Sequence, residues 1–125
     1  RPPLRDSGMW SIEEAMNATR RLMALPDPPD ALFCANDMMA IAALNVVVGE
    51  MGMRAGHDIS VVGFDDIAMA SWPLIDLTTW VQPLSEMVEA AIAVLKTQLD
   101  SAEAAPVQHV LKGKLIIRGS TRPRR

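Results

Sequence analysis

Polar side chains follow apolar segments at three places in this 125-residue chain. The stretch ISVVGFDD ends on two adjacent carboxylates, Asp65 and Asp66, although carboxylates are the side chains that leave water least readily. In LFCAND the apolar stretch is followed by Asn36, and in TTWVQP it is followed by Gln82. An amide offers both a donor and an acceptor, and a carboxylate accepts two hydroxyl protons. Such a set of groups is suited to hold a polyhydroxylated molecule.

Each of these side chains also has a simpler interpretation. Asn36 stands before a helical pattern and is equally well explained as the cap of that helix. One of Asp65 and Asp66 is expected to serve the turn. Trp10 could offer the flat apolar surface on which a sugar ring stacks, but a tryptophan with one polar handle is as often a core residue. Only the convergence of several groups favours a binding site.

The elements that must position these groups alternate between helical and extended patterns. Ser11 and Glu14 have the spacing of a capping box, Gly52 supplies a helix stop, and Pro83 stands where a helix can start. Helices are predicted over residues 12–25, 36–51 and 84–99. Extended segments are predicted over 31–35, 59–64, 77–82 and 107–118, the last after a loop at 100–106.

Strands that are apolar on both faces and separated by helices indicate the fold class. They predict an α/β fold, a parallel sheet flanked by helices on both sides. In open parallel sheets, ligands bind in the crevice beyond the carboxyl ends of the strands. Asn36, Asp65 and Gln82 all follow such ends. The sequence therefore predicts one binding edge.

Composition and charge exclude several classes of protein. Half of the residues are apolar and the net charge is -3, with six of the twelve basic residues after Glu103, so the acidic remainder would repel nucleic-acid phosphates. No apolar run reaches the roughly 18 residues of a membrane span, so no membrane partner is expected. Cys34 is the single cysteine and is expected to be a packed thiol. The start, Arg1-Pro2-Pro3, indicates a soluble piece of a longer protein.

Catalytic and metal sites find little support in the sequence. His57 lies in a polar loop and His109 on a strand predicted to be exposed, so no Ser-His-Asp set is indicated. There is no CxxC, HExxH or glycine-rich phosphate loop. Adjacent carboxylates on an extended strand point to opposite faces, which argues against an acid-base pair. We expect no enzyme activity, no metal and no cofactor.

Four motifs in this order carry a resemblance to a known family: LFCANDMMAIAAL, GMRAGHDISVVGFDDIAMASW, LTTWVQP and IIRGSTRP. From Trp10 onward, the chain resembles the C-terminal part of the lactose/galactose-repressor family of bacterial transcription regulators. The resemblance implies the C-terminal lobe of a type I periplasmic-binding-protein-like sensor, whose two lobes close on an effector. It also implies that residues 1–125 are a partial effector-binding domain. A helix-turn-helix domain that binds operator DNA as a dimer, and most of the N-terminal lobe, would lie outside this chain.

The resemblance assigns roles to four residues. Asn36 matches the family's effector-binding Asn, and Asp65 matches the first Asp of its G-[FY]-D-[DN] motif, which accepts effector hydroxyls or amines. Gln82 matches a position near the lobe crossover that contacts ligand in some members. Trp10 matches an aromatic position that packs on the effector.

Two positions depart from the family's pattern. Met9 stands where Asp is frequent before the aromatic residue, which bears on the local geometry of Trp10. Ile75 and Asp76 stand where Pro-Pro is commoner, so the loop before Leu77 is expected to follow a different path.

A homodimer is predicted on two grounds. The helix after Asn36 is apolar almost all round and must be buried on two sides, of which the sheet covers one. The alternative is that local loops cover the outer side. The resemblance likewise places this helix and segment 67–72 at the dimer interface. The predicted interface residues are Met38, Ala42, Ala68 and Trp72.

The predicted function is the effector-binding and dimerisation part of a cytoplasmic, sugar-responsive transcription regulator. Its effector would be a sugar or sugar derivative that modulates operator binding by the separate DNA-binding domain. The alternative is the periplasmic sugar-binding protein of a transporter, which has a similar fold but carries a signal peptide. The stretches DISVVGFDD and RGST favour the regulator.

Overall fold

The computed structural model describes residues 4–100 and 107–122. They divide into two compact units, of which the first comprises the residues up to Val81 and from Leu115 onward, and the second is Gln82–Lys114. The helices are α1 (Ile12–Met23), α2 (Asp37–Leu44) and α3 (Leu84–Asp100), and α2 continues as a π-helix over Asn45–Glu50. The strands are β1 (Ala31–Phe33), β2 (Ser60–Phe64), β3 (Thr78–Val81) and β4 (Lys114–Ile116). A 3₁₀ turn occupies Ala68–Ser71.

The strands form one sheet in the order β1-β2-β3-β4. β1 runs parallel to β2 with Leu32 opposite Val61, and β2 runs parallel to β3 with Val62 opposite Thr78. The predicted α/β fold with a parallel sheet is thereby confirmed. β4 is shorter than the predicted extended segment 107–118. The predicted loop 100–106 lies outside the described residues except for Asp100, which ends α3.

Helix α1 begins where its capping pattern predicts. The Ser11 side chain accepts a hydrogen bond from the Glu14 amide at 3.5 Å, and the first turn carries acidic residues while the last carries Arg20 and Arg21. Both placements are stabilising, because negative charges near the start of a helix and positive charges near its end interact favourably with the helix dipole. The helix ends at Met23, two residues before the predicted end.

The core of the first unit lies between α2 and the sheet. Its members are small and branched apolar side chains, which allow the helix to approach the strands closely. The buried members are Leu32, Val61 and Leu77 from the strands and their margin, Ala40, Ala43, Leu44 and Val47 from the helical segment, and Ile59 and Ala70 from the connections.

Helix α2 is buried on two sides within its own chain. It packs both on β2 and along α1. A partner molecule or local loops were predicted to cover the second side of α2, and the contact of α1 with this helix was not foreseen. Met16 of α1 and Asn45 approach to 3.9 Å between Sδ and Nδ2. The apolar composition of α2 alone therefore does not require a partner molecule.

In the second unit, no residue of α3 is buried. The apolar side of this helix and the residues after 106 line a groove of about 380 Å³, which includes Met87, Leu95, Val107 and Leu111. None of the helices within residues 4–100 and 107–122 has the length and apolarity needed to cross a bilayer.

Candidate functional site

Two of the polar residues singled out in the sequence follow neighbouring parallel strands. Asn36 lies three residues after the end of β1, and Asp65 lies directly after β2. The two strands stay paired up to this edge, because the Cys34 amide donates to the Val62 carbonyl at 2.8 Å. Asn36 and Asp65 therefore both lie at the carboxyl edge of the sheet, where open parallel sheets bind their ligands.

Asn36 caps helix α2. Its Oδ1 accepts a hydrogen bond from the Met39 amide at 2.8 Å, which is the usual bond of an N-cap residue. The cap occupies only the carbonyl side of the side-chain amide, and the NH₂ group has two further donors. The capping role is thus observed, and it is compatible with ligand contact by the same side chain.

Asp65 and Asp66 form a tight turn in an unusual backbone conformation. Their φ angles are 116° and 55°, and positive φ is uncommon for residues that carry a Cβ. The Asp65 amide donates to the Trp80 carbonyl at 2.9 Å, so the turn stays attached to β3. The Asp65 side chain is exposed at the sheet edge. Backbone conformations of this kind cluster at functional sites.

Asp66 connects the turn to the C-terminal segment. Its Oδ1 accepts a hydrogen bond from Nη2 of Arg118 at 2.8 Å, and both side chains are largely buried. Nη1 of Arg118 also donates to the Leu77 carbonyl at 2.8 Å. The Arg118 side chain thus connects the turn to the margin of β3. This agrees with the expectation that one of the two carboxylates serves the turn.

We expect Asp66→Asn to lower stability. The substitution keeps the size of the side chain but removes the charge that pairs with Arg118, and a charged hydrogen bond contributes about 1.5–3 kcal/mol. The free energy of unfolding, measured by urea denaturation, should fall by roughly this amount. Glu89→Gln, at an exposed carboxylate of α3, is the control and should stay within about 0.5 kcal/mol of the unaltered protein. Equal stability of the two variants would contradict the role of the pair.

Trp10 lies at the surface directly before α1. Its side chain is 77% exposed, so the interpretation as a core residue is wrong. Met9 and Trp10 have φ angles of 48° and 56°, which mark a second strained turn at the departure from the family pattern. The preceding Gly8 packs against α2, where an added Cβ would lie 2.5 Å from Cε of Met39. The turn that carries Trp10 thus adjoins the first turn of α2, which Asn36 caps.

Gln82 is the first residue of the second unit and directly follows β3. Its role beside the other three residues stays a prediction.

The predicted interface residues differ in exposure. Ala42 is only 2% exposed within its own chain, whereas Trp72 is 55% exposed and Ala68 is also exposed. Met38 is partly buried. Sequence reasoning missed Leu74, which is 98% exposed in the loop after Pro73. Leu74 borders a groove of about 350 Å³ whose other lining residues include Ile41, Leu44, Val48, Ala55 and Ile75.

Sequence reasoning also missed Asp37 and Arg118. Asp37 is 0% exposed, and its two oxygens accept hydrogen bonds from Thr79 and Ile67. The signal was present in LFCAND, where a carboxylate follows an apolar strand next to the more conspicuous Asn36. The partners of Asp37 lie 30 and 42 residues away, and no local pattern identifies them.

A charged cluster lies apart from these residues in the exposed loop before β2. The Arg54 side chain donates to both oxygens of Asp58 at 3.0 and 2.9 Å, and this bonding holds the pKa of the Asp58 carboxyl far below its usual range. Nδ1 of His57 lies 2.8 Å from Oδ1 of Asp58. Within the described ranges, no group of three or more His, Cys, Asp or Glu residues is placed to hold a metal ion.

Cys34 should react slowly with thiol reagents. Burial, together with the nearby Asp37 charge, raises the pKa of its thiol to about 12, so at pH 8 almost none is the nucleophilic thiolate. We expect alkylation of Cys34 by iodoacetamide, followed by mass spectrometry, to be at least about a hundredfold slower in the native protein than in guanidinium. Equal rates in the two states would contradict the packed position.

The chain matches the family described as "Periplasmic binding protein-like domain" over residues 3–121. The probable HTH-type transcriptional repressor ExuR of Bacillus subtilis (strain 168) is 34% identical over 115 residues, which cover 92% of this chain and 34% of that protein. The chain therefore spans about a third of the length of the curated relatives it matches.

Solved structures with the same fold include two transcription regulators with named ligands. The complex of the transcriptional regulator CelR with cellobiose has a TM-score of 0.78 and 30% sequence identity, over 94% of this chain and 37% of that one. The Lac repressor dimer bound to operator and the anti-inducer ONPF has a TM-score of 0.76 and 32% identity, over 91% of this chain and 39% of that one.

Proposed function

The chain belongs to the family of periplasmic binding protein-like domains, among the effector-binding domains of lactose/galactose-repressor regulators, and from this premise we propose that it forms one side of an effector site. The effector is a sugar or another polyhydroxylated molecule bound at the carboxyl edge of the sheet. The full-length protein is a cytoplasmic transcription regulator, whose separate domain binds operator DNA. The observation that carries the proposal is the placement of Asn36 and Asp65 at the ends of two adjacent parallel strands.

Each residue at this edge offers a distinct interaction with a polyhydroxylated ligand. The exposed Asp65 carboxylate accepts hydrogen bonds from hydroxyl groups, and the Asn36 NH₂ group donates to ligand oxygens. The exposed ring of Trp10 offers an apolar face against which a sugar ring can stack. Because small-ligand sites bury most of the ligand surface, this edge provides one wall and a second lobe closes over it.

The relatives support a regulator over a transporter component. ExuR is described as a transcriptional repressor, and the CelR and Lac repressor structures are also of regulators. Effector binding in such a protein changes the affinity of a separate DNA-binding domain, and the two ligands must affect each other's binding reciprocally. Catalysis forms no part of this proposal.

We also propose that the regulator is a homodimer through the surface around the 3₁₀ turn. Trp72 and Leu74 expose large apolar side chains on this surface, and Val48 from the π-helix adds a third. Exposed clusters of this kind mark interfaces rather than solvated surface. A twofold interface uses the same patch on both subunits. The burial of Ala42 moves the centre of the proposed interface from α2 toward Trp72 and Leu74.

The experiment for the proposed function uses the full-length protein. Isothermal calorimetry is performed with cellobiose and a panel of hexoses, disaccharides and nucleosides, and operator affinity is measured with and without each compound that binds. We expect at least one polyhydroxylated compound to bind at micromolar concentrations and to change operator affinity. Absence of binding across the panel, or binding that leaves operator affinity unchanged, would contradict the proposal.

A further inference from the structure

We infer that Asp37 is a positioning residue, whose buried carboxyl group holds the turn that presents Asp65 to the ligand. The inference rests on the proposed function for the role of Asp65. Asp37 makes its contacts inside the protein and acts through the backbone of its neighbours.

Asp37 joins three separate elements. It is the first residue of α2 and has no exposed surface. Its Oδ1 accepts a hydrogen bond from the Thr79 hydroxyl of β3 at 2.5 Å, and its Oδ2 accepts one from the Ile67 amide at 2.9 Å. Carboxyl groups are rarely buried without partners, and here both oxygens are used.

The Asp37 carboxyl group fits against the sheet at Gly63, which has no side chain. Gly63 of β2 lies against Asp37, and a Cβ added at Gly63 would overlap Oδ1. The absence of a side chain at Gly63 is thus required for Asp37 to reach β3 beneath the end of β2. The glycine immediately precedes Phe64, Asp65 and the turn.

The bonds to Asp37 extend to the turn itself. The Thr79 hydroxyl that donates to Asp37 also accepts from the Asp66 amide at 3.4 Å. The amides of Asp66 and Ile67 are therefore both attached to Asp37, one through a hydroxyl and one directly. The two residues after Asp65 along the chain cannot move without breaking these bonds.

The turn needs such attachment because its backbone is disfavoured. Positive φ at both Asp65 and Asp66 is unfavourable for residues with a Cβ, and such conformations persist only where the surroundings hold them. Without the bonds from Asp37 and Thr79, the turn would relax toward a commoner conformation. The Asp65 carboxylate would then no longer point toward the ligand.

A simpler role for Asp37 is a carboxylate that stabilises the N-terminus of α2. That role is already filled, because Asn36 caps the helix through the Met39 amide. The Asp37 carboxylate instead accepts hydrogen bonds from two residues outside α2, Thr79 and Ile67. The geometry is that of a connection between elements rather than of a cap.

The test is hydrogen–deuterium exchange of the full-length protein, read at peptides that cover residues 64–72 and at core peptides around Val61 and Val47. Asp37→Asn is the first variant. An asparagine can accept through only one of its two positions, so either Thr79 or Ile67 loses its acceptor. We expect exchange in 64–72 to become about tenfold faster, while the core peptides keep their protection.

A pair of variants at Thr79 provides a test that does not depend on the folding of Asp37→Asn. Thr79→Val keeps the shape but removes the hydroxyl, and Thr79→Ser restores the hydroxyl. We expect faster exchange in 64–72 for Thr79→Val and near-normal exchange for Thr79→Ser. Equal behaviour of the two, unchanged exchange in 64–72, or a uniform rise across the core peptides would each overturn the inference.

The outcome is separable from that of the proposed function, because no sugar is present in the exchange experiment. If no compound of the calorimetry panel binds, the proposed function is contradicted, but the exchange result remains valid. If exchange in residues 64–72 is unchanged in the Asp37 and Thr79 variants, only the positioning role of Asp37 is contradicted.

Discussion

Leu74→Asp is expected to dissociate the proposed dimer of the full-length protein into monomers at micromolar concentrations. Leu74 is 98% exposed within its chain, so the substitution removes almost no packing from the fold. Burying a leucine side chain contributes about 1.5–3 kcal/mol, and a twofold interface contains the residue twice. The loss should be roughly 3–6 kcal/mol, or about a hundredfold to ten-thousandfold in the dimer dissociation constant. Sedimentation velocity over a range of concentrations measures it.

The matched control is Ile117→Asp, which places the same charge at another exposed apolar residue of the first unit. This variant should sediment as the unaltered protein does. At concentrations low enough for the unaltered protein to be monomeric, all three proteins should unfold at nearly the same urea concentration. A Leu74→Asp protein that remains dimeric would contradict the proposed interface, and equal weakening by both variants would indicate a general effect of charge.

Asp65→Asn is expected to weaken effector binding about ten- to a hundredfold. The substitution keeps the size of the side chain but replaces one acceptor oxygen by a donor, so at least one ligand hydroxyl loses its partner. A hydrogen bond to a charged group contributes about 1.5–3 kcal/mol, which corresponds to that range of affinities. Because the side chain is exposed at the end of β2, folding and dimerisation should change little. Calorimetry with the sugar that binds the unaltered protein measures the affinity.

Asp66→Asn separates the binding role from the structural role of the turn. Its side chain pairs with Arg118, so this variant should lose stability and keep near-normal affinity for the effector. If Asp66→Asn binds weakly and Asp65→Asn binds normally, the two carboxylates have been assigned in the wrong order. If both bind normally, the carboxyl edge of β2 is not part of the site.

Much of the fold was predictable because its elements have strong local signals. The capping box at Ser11 and the helical spacing that follows it predict α1 nearly to its end. The apolar runs at β1, β2 and β3 predict a parallel sheet, because strands covered by helices on both faces carry such runs. In the structure only Leu32 of β1 is buried, and Ala31 and Phe33 are exposed. The change from α- to π-helix after Leu44 has no comparable signal, because the apolar pattern continues through it.

The site was predictable only in part. Asn36 and Asp65 stand at strand ends, and the topology of a parallel sheet is enough to bring such ends to one edge. Asp37 was not predictable, because its burial depends on Thr79, which is distant in sequence and adjacent only in the folded sheet. Ala42 was assigned to the interface but is buried within its own chain, since apolar composition does not tell which neighbour buries a helix residue.

The most direct test of the effector site is a crystal structure of the full-length protein with the sugar identified by calorimetry. We expect ligand hydroxyls within hydrogen-bond distance of the Asp65 carboxylate and the Asn36 amide, with a sugar face against the ring of Trp10. A sugar bound elsewhere, with no ligand atom within the hydrogen-bond limit of about 3.2 Å of the Asp65 carboxylate or of the Asn36 amide, would contradict the proposed site.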